Sequence, residues 1–227
     1  MDMTGIKPCI VSAGIGNWYP AGIDRLERSL ILHGYAGDYI FWKNEYPPNS
    51  PSHQENPYAF KIYAFEEAFR RGYKNVMWLD SSFWCIKQPH ELFDIIQDYG
   101  IFGFRSGYNC ANTCPDNLLA AVGISRDEAE RIPETATGIV GINIENPEGK
   151  QVFEYWKQFC DNGLFINDRH HNPLESSDYR YKHGRQDQSA FSMALYKAGV
   201  SFNYQDYVSY YGTGYDPDRC YFFIGGL

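Results

Sequence analysis

An acid closing a short apolar run is the first feature of this sequence that could do chemistry. Val76-Met77-Trp78-Leu79 has the length and flanks of a buried strand, and it stops at Asp80-Ser81-Ser82 before the chain turns apolar again at Phe83-Trp84-Cys85-Ile86. In open α/β sheets ligands bind in the crevice outside the carboxyl ends of the strands, which is where this reading puts Asp80. An Asp can also simply cap a turn, but this one lies between two hydrophobic runs and not ahead of a helix. A second acid, Asp187, opens a helical segment after a polar stretch, where it reads either as an N-cap or as a group beside a ligand, with Gln188 next to it. His183 lies in the polar stretch from Phe165 to Gly184 and reads either as solvated or as a phosphate or metal contact; His170 and His171 read as solvated. Cys110 and Cys114 are the closest cysteine pair, and they lack the second Cys or His pair that a structural zinc site requires.

These side chains need a scaffold, and the pattern around them supplies one. Pro8 to Ala13 reads as a first strand ending in Gly14-Ile15-Gly16-Asn17, where glycine permits a tight turn or close approach to a ligand. The third glycine of a dinucleotide fingerprint is absent at its spacing, which excludes a nicotinamide-binding turn. Ile23, Leu26, Leu30 and Ile31 recur at helical spacing before Gly34, and Asp38 to Trp42 reads as a second strand. A Pro-rich loop from Pro47 to Pro57 leads to an amphipathic helix, Tyr58 to Arg71, stopped at Gly72. Strand, helix, strand, loop, helix, strand is a parallel α/β pattern. Further on, a helix is expected over His90 to Tyr99, a strand over Ile101 to Phe104 with Arg105 at its end, an ordered loop over Asn109 to Pro115, and short helices over 117–124 and 125–131, the latter behind a Ser125/Glu128 capping box. Thr137 to Asn143 reads as a strand, Pro147 to Cys160 and Gln186 to Ala198 as helices, and Tyr221 to Ile224 as a late strand.

Composition limits the function. The 227 residues suffice for one α/β domain with a sizeable core, and 44% hydrophobic with 21% charged residues is the balance of a globular chain. A net charge of −8 with no basic stripe excludes phosphate-backbone binding, so no nucleic-acid partner is expected. No apolar stretch approaches a membrane span, the N-terminus has no signal-peptide pattern, and the six scattered cysteines fit reduced thiols, so the expected location is cytoplasmic. Aromatic residues reach 17%, including 19 Tyr, enough to supply stacking faces for bases or sugar rings as well as core; Tyr19 and Trp42 lie near the first strand ends.

The combination Asn56-Pro57-Tyr58-Ala59-Phe60-Lys61, Trp78-Leu79-Asp80-Ser81-Ser82, Thr137-Gly138-Ile139-Val140-Gly141 and Asp187-Gln188-Ser189, in that order, resembles the GT-A-type glycosyltransferases. The resemblance implies a single GT-A-like (Rossmann-like) α/β domain over residues 1–227, with a mixed, mostly parallel sheet flanked by helices; the end at Gly225-Gly226-Leu227 reads as a cut from a longer chain. It also implies transfer of a sugar from a nucleotide diphosphate-sugar, with UDP the expected nucleotide, to a glycan hydroxyl. In that family the acidic motif is Asp-x-Asp and binds a divalent cation, Mn²⁺ or Mg²⁺; here Ser82 replaces the second acid, leaving Asp80 as the metal ligand. One carboxylate can hold such a cation once phosphate oxygens complete its sphere. The donor is then expected across Gly14, Gly16, Asp80, Ser81 and Ser82. Lys61 is a second cation for the phosphates, since an opposite-charge pair 4 Å apart gains roughly 4 kcal/mol at an effective dielectric of ~20; the other reading of Lys61 is a solvated residue on its helix. Gly138, Asp187, Gln188 and His183 are expected on the sugar and acceptor side, with Asp187 binding sugar hydroxyls or acting as a base on the acceptor. Arg105 and Asp178 remain unassigned at the rim. The alternative is a carbohydrate- or nucleotide-sugar-binding module without turnover; a nucleotidyltransferase lacks its Gly-rich signature beside the first strand.

Overall fold

Two mostly apolar strands, β1 (Cys9–Gly14) and β3 (Asn75–Leu79), are buried along their whole length at the centre of the sheet. The computed structural model describes residues 7–166, 176–200, 208–209 and 218–226, so His170 and His171 lie outside the described residues. Burial on both faces explains why CIVSAG and NVMWL read as continuous runs and not as alternating ones. β2 (Asp38–Lys43) pairs in parallel with β1 at one edge. The other side is formed by β5 (Ile101–Asn109) and β6 (Pro133–Asn143), giving the order β2-β1-β3-β6-β5. β1 is parallel to β2 and β3, while β6 runs antiparallel to both β3 and β5. The sheet is therefore mixed and mostly parallel, with four strands in one direction and β6 reversed.

That reversal follows from the connection. Asn109 at the end of β5 pairs with Pro133 at the start of β6, so the chain leaves and re-enters the sheet at the same end. Between them lie only the short helices α4 (Cys110–Thr113), α5 (Asp116–Val122) and α6 (Arg126–Ala129), none long enough to carry the chain back along the sheet. α4 corrects the expected loop at Asn109 to Pro115: the Asn109 side chain accepts from the Asn112 backbone N–H, and Asn112 returns the bond, a cap that does not need the usual Glu or Gln. The Ser125/Glu128 capping box forms as expected. β6 begins four residues before Thr137 because the polar Glu134 is a strand residue here.

Helices cover both faces. α1 (Tyr19–Leu32), with Pro20 in its first turn, and α3 (His90–Tyr99) pack Leu26, Leu30, Leu92, Phe93 and Ile96 against Ile10, Met77 and Leu79. On the opposite face α2 (Phe60–Arg70), α7 (Pro147–Asp161) and α8 (Gln186–Lys197) enclose Val11, Val76, Trp78, Phe65, Trp156 and Phe191. Trp42 belongs to this core at 6% exposure, which removes it from the candidate base-stacking residues. α8 is buried from Gln186 through Leu195, so its polar residues must find partners inside the protein. No helix among the described residues is long and apolar enough to cross a membrane.

A second, small sheet pairs β4 (Phe83–Cys85) antiparallel with β8 (Phe222–Ile224), which is parallel to β7 (Val208–Ser209). Arg25 of α1 fastens it to the end of β3: its Nη2 donates to the Ser82 and Gly225 carbonyls at 3.0 and 2.9 Å, and its guanidinium lies 4.2 Å over Trp84.

The last turn of α2 is braced from within by Glu67, a carboxylate 5% exposed that accepts from Arg70 and Arg71 at 2.7 Å. The Arg70 hydrogen bond, helped by Arg71, lowers its pKa from 4.5 to about 2. A depressed acid stabilises the fold above its ordinary pKa, and that contribution disappears as pH falls from 4.5 towards 2. Urea-unfolding midpoints of Glu67→Gln are therefore expected to lie below the parent's at pH 7 and to converge on them only as pH approaches about 2; parallel curves across this range would remove Glu67 from the acid response.

Candidate functional site

The carboxyl ends of β1 and β3 open together into a cavity of about 440 Å³. β1 ends at Gly14, where a Cβ would lie 2.5 Å from the Tyr19 carbonyl oxygen, so only glycine lets the first turn of α1 fold back so closely. Gly16 has φ of +101°, which glycine adopts freely. That turn carries Trp18 and Tyr19 to the cavity wall, their rings stacked 4.2 Å apart. His53, from the loop expected to lie over a site, lines the cavity together with Tyr46 and Tyr58 at that loop's two ends, and Phe60 and Trp78 complete the aromatic lining. Asn56 ties this loop to α7 through a 3.2 Å bond from its amide to the Cys160 carbonyl.

Asp80 is the acid that lines the cavity, with Ser81 and Ser82. Its backbone N–H donates to the Gly138 carbonyl at 2.8 Å, extending the β3–β6 pairing by one residue, and its own carbonyl closes the turn to Phe83 at 3.0 Å. Trp78 Nε1–H donates to Asp80 Oδ1 at 2.7 Å. Oδ2 makes no hydrogen bond among the described residues, and Gly138 gives it room, since a Cβ there would sit 3.3 Å away. Gly138 thus touches the site from below.

Behind Asp80 lies Lys61, and its burial overturns the reading of it as a solvated residue on its helix. Its side chain is 3% exposed, and its ammonium reaches Asp187 Oδ2 at 2.9 Å, the Thr137 carbonyl at 2.9 Å and Asp80 Oδ1 at 3.3 Å. Burial disfavours the ammonium, but Asp187 and Asp80 together outweigh it and hold the Lys61 pKa above the ordinary lysine value. Asp187 is equally enclosed: Thr137 Oγ1–H donates to its Oδ2 at 2.6 Å, and its backbone carbonyl accepts from Trp156 Nε1–H at 3.0 Å. Burial pushes its carboxyl up against the opposing pull of Lys61 and Thr137. Asp187 is the second residue of α8, with Arg185 at the N-cap, so it does not cap the helix. It stands beneath Asp80 as the inner partner of Lys61.

Gln188 is held as firmly. Its Nε2 donates to Glu134 Oε2 at 2.7 Å, and its Oε1 accepts from the Thr137 N–H at 3.3 Å and Arg185 Nη2 at 3.4 Å. Glu134 is 0% exposed, also accepts from Ser106 Oγ–H, and leaves Oε1 without a hydrogen bond. His183 is 8% exposed and meets the Tyr108 ring edge-on at 5.4 Å. Asp178 pairs with Arg180 at 2.8 Å. Arg105 is exposed on β5. Cys110 and Cys114 are buried free thiols; among the described residues no group of three or more His, Cys, Asp or Glu side chains could hold a metal ion.

Sequence reasoning named Asp80, Lys61 and Asp187, and the structure joins them in one ion network. It missed Thr137, which binds both Lys61 and Asp187, although the residue stood next to Gly138 in the motif. It also missed Glu134 and the cavity aromatics Trp18, Tyr46 and Tyr58. One backbone signal accompanies them: Tyr58 and Gln186 have φ of +61° and +42°, unusual for residues with side chains, at the entries to the two helices that carry Lys61 and Asp187.

No family model matches the chain, and no curated protein matches it by sequence. Solved structures match it by fold. The apo bifunctional glycosyltransferase WbbM aligns with a TM-score of 0.54 at 13% identity over 92% of this chain, which spans only 40% of that one. Mouse xyloside xylosyltransferase 1 in its apo form gives 0.51 at 12% identity, covering 97% of this chain and 98% of that one. An active-site mutant of LgtC gives 0.51 at 12% identity, covering 89% and 75%. At such identities the likeness is one of fold, and that fold is GT-A-like.

Proposed function

We propose that this chain is a glycosyltransferase, of hexosyltransferase type, that moves a sugar from a nucleotide diphosphate-sugar, with UDP the expected nucleotide, to a glycan hydroxyl. The observation that carries the reading is Asp80: a half-exposed carboxylate at the end of a central strand, with one oxygen fixed and the other open, at the mouth of an aromatic cavity. Trp18 and Tyr19 offer faces for the base. The glycine turn after β1 lets the ribose and diphosphate run close to the backbone towards Asp80.

A divalent cation, Mn²⁺ or Mg²⁺, fits the residues present. Asp80 Oδ2 is available and the Ser82 side chain stands beside the same cavity, and phosphate-site cations commonly take one or two carboxylates plus phosphate oxygens and water. Such an ion would neutralise negative charge on the departing diphosphate. The chain's own residues do the rest. Trp78 and Lys61 fix the Asp80 carboxylate, Thr137 and Asp187 fix Lys61, and Gly138 keeps the floor low. Gln188 and His183 border the sugar and acceptor side in this reading, with Asp187 acting through Lys61 on Asp80. A cytoplasmic location belongs to the same proposal.

Calorimetric titration with UDP tests it. Binding is expected to need Mn²⁺, and Trp18→Ala is expected to weaken it about tenfold, in line with ~1–3 kcal/mol for stacking one base on an aromatic ring. Slow release of UDP from UDP-hexoses completes the expected result. Metal-dependent binding with no release from any sugar would instead favour a non-catalytic binding module, a reading kept open by Ser82 in place of a second acid.

A further inference from the structure

The Lys61 ammonium occupies its site as a bound cation would. Four oxygens surround Nζ: Asp187 Oδ2 and the Thr137 carbonyl at 2.9 Å, Asp80 Oδ1 at 3.3 Å and Thr137 Oγ1 at 3.4 Å. Two carboxylates, a carbonyl and a hydroxyl are the oxygen donors that a hard divalent cation collects. The rings of Tyr58 and Trp78 stand 5.3 and 5.5 Å away, close enough for their faces to favour positive charge. These donors come from the residue that follows β3, from β6 and from α8, and Lys61 itself comes from α2, so the cage is a meeting point of the elements that form the site.

We propose that Lys61 is a resident cation that makes divalent-metal binding at Asp80 conditional on the donor's diphosphate. The identity of that phosphate ligand rests on the glycosyltransferase reading; the behaviour of the nucleotide-free protein does not. Asp80 Oδ1 is committed to Lys61 and to Trp78 Nε1, so an arriving metal finds one carboxylate oxygen. Asp187 lies behind the ammonium and is not available as a second ligand. A metal ion alone therefore meets a single oxygen beside a fixed positive charge. A diphosphate brings further oxygens and negative charge, and the electrostatic balance then reverses. Without the ammonium, two carboxylates face each other around an oxygen-lined gap, and a divalent ion becomes the group that compensates them.

Titration of manganese chloride into nucleotide-free protein tests this directly. The parent and Lys61→Arg, which keeps the charge, are expected to show no saturable binding below millimolar metal. Lys61→Met is expected to bind Mn²⁺ at least tenfold more tightly, and adding Asp187→Asn to it is expected to abolish the gain. Equal affinity in the parent and Lys61→Met, or a gain that survives Asp187→Asn, overturns the proposal. Should Lys61→Met fail to fold alone, its melting curve with Mn²⁺ decides: recovery by Mn²⁺ but not by sodium chloride of equal ionic strength supports the cage, and an unfolded chain at every Mn²⁺ concentration overturns it. A last arm adds UDP to the parent and is expected to bring Mn²⁺ binding into the micromolar range. If the nucleotide-free results come out as expected while UDP changes nothing, the donor reading and the conditional step fail, and the caged Lys61 stands.

Discussion

Asp187→Ala is expected to lower folding stability by about 3–5 kcal/mol, the range for removing one member of a buried ion pair. The loss arises less from the missing attraction than from what remains. Lys61 would keep its charge at 3% exposure with only the half-exposed Asp80 and the Thr137 oxygens to offset it, and Thr137 Oγ1–H would lose its acceptor. Asp187→Asn keeps the shape and one acceptor, so its cost should be smaller. A double-mutant cycle with Lys61→Met separates the pair from its surroundings: in urea unfolding, the double variant should be more stable than the two single losses summed. A single-variant loss below about 1 kcal/mol would mean that the network is loosely held, and the argument that Asp187 positions Asp80 through Lys61 would fall with it.

How much of this was legible in the sequence depended on whether a residue's environment follows from its neighbours in the chain. Asp80 could be read because an acid interrupting an apolar run is a local signal. The glycines after β1 could be read for the same reason. Lys61 could not be placed, because a lysine on an amphipathic helix is ordinarily solvated, and its burial depends on Thr137 and Asp187, both far away along the chain. Glu134 was hidden in the same way, since a carboxylate argues against a buried strand until Gln188 and Ser106 are known to meet it. The reversed direction of β6 was illegible because hydrophobic patterning reports which face a strand buries and not which way it runs. Aromatic content announced stacking faces, but only the folded loop and the turn after β1 selected Trp18, Tyr46 and Tyr58 for the cavity and sent Trp42 to the core.

Asp80→Asn should separate the metal from every other contribution to the site. Asparagine keeps an oxygen for Trp78 Nε1–H, and Asp80 is partly solvated, so the melting temperature should move little compared with Asp187→Ala. What disappears is the negative charge that would hold a divalent cation against the diphosphate. UDP affinity measured with Mn²⁺ is expected to fall by about a hundredfold, to the value the parent shows with chelator, and turnover by on the order of 10²–10³, the usual cost of losing one charge-stabilising contact. Affinity measured without metal should stay unchanged. The contrast between the two conditions is the informative quantity: an equal fall with and without Mn²⁺ would mean that Asp80 binds the nucleotide itself, through ribose or phosphate. The open oxygen beside Gly138 would then serve the donor directly, and Lys61 would act only to orient it.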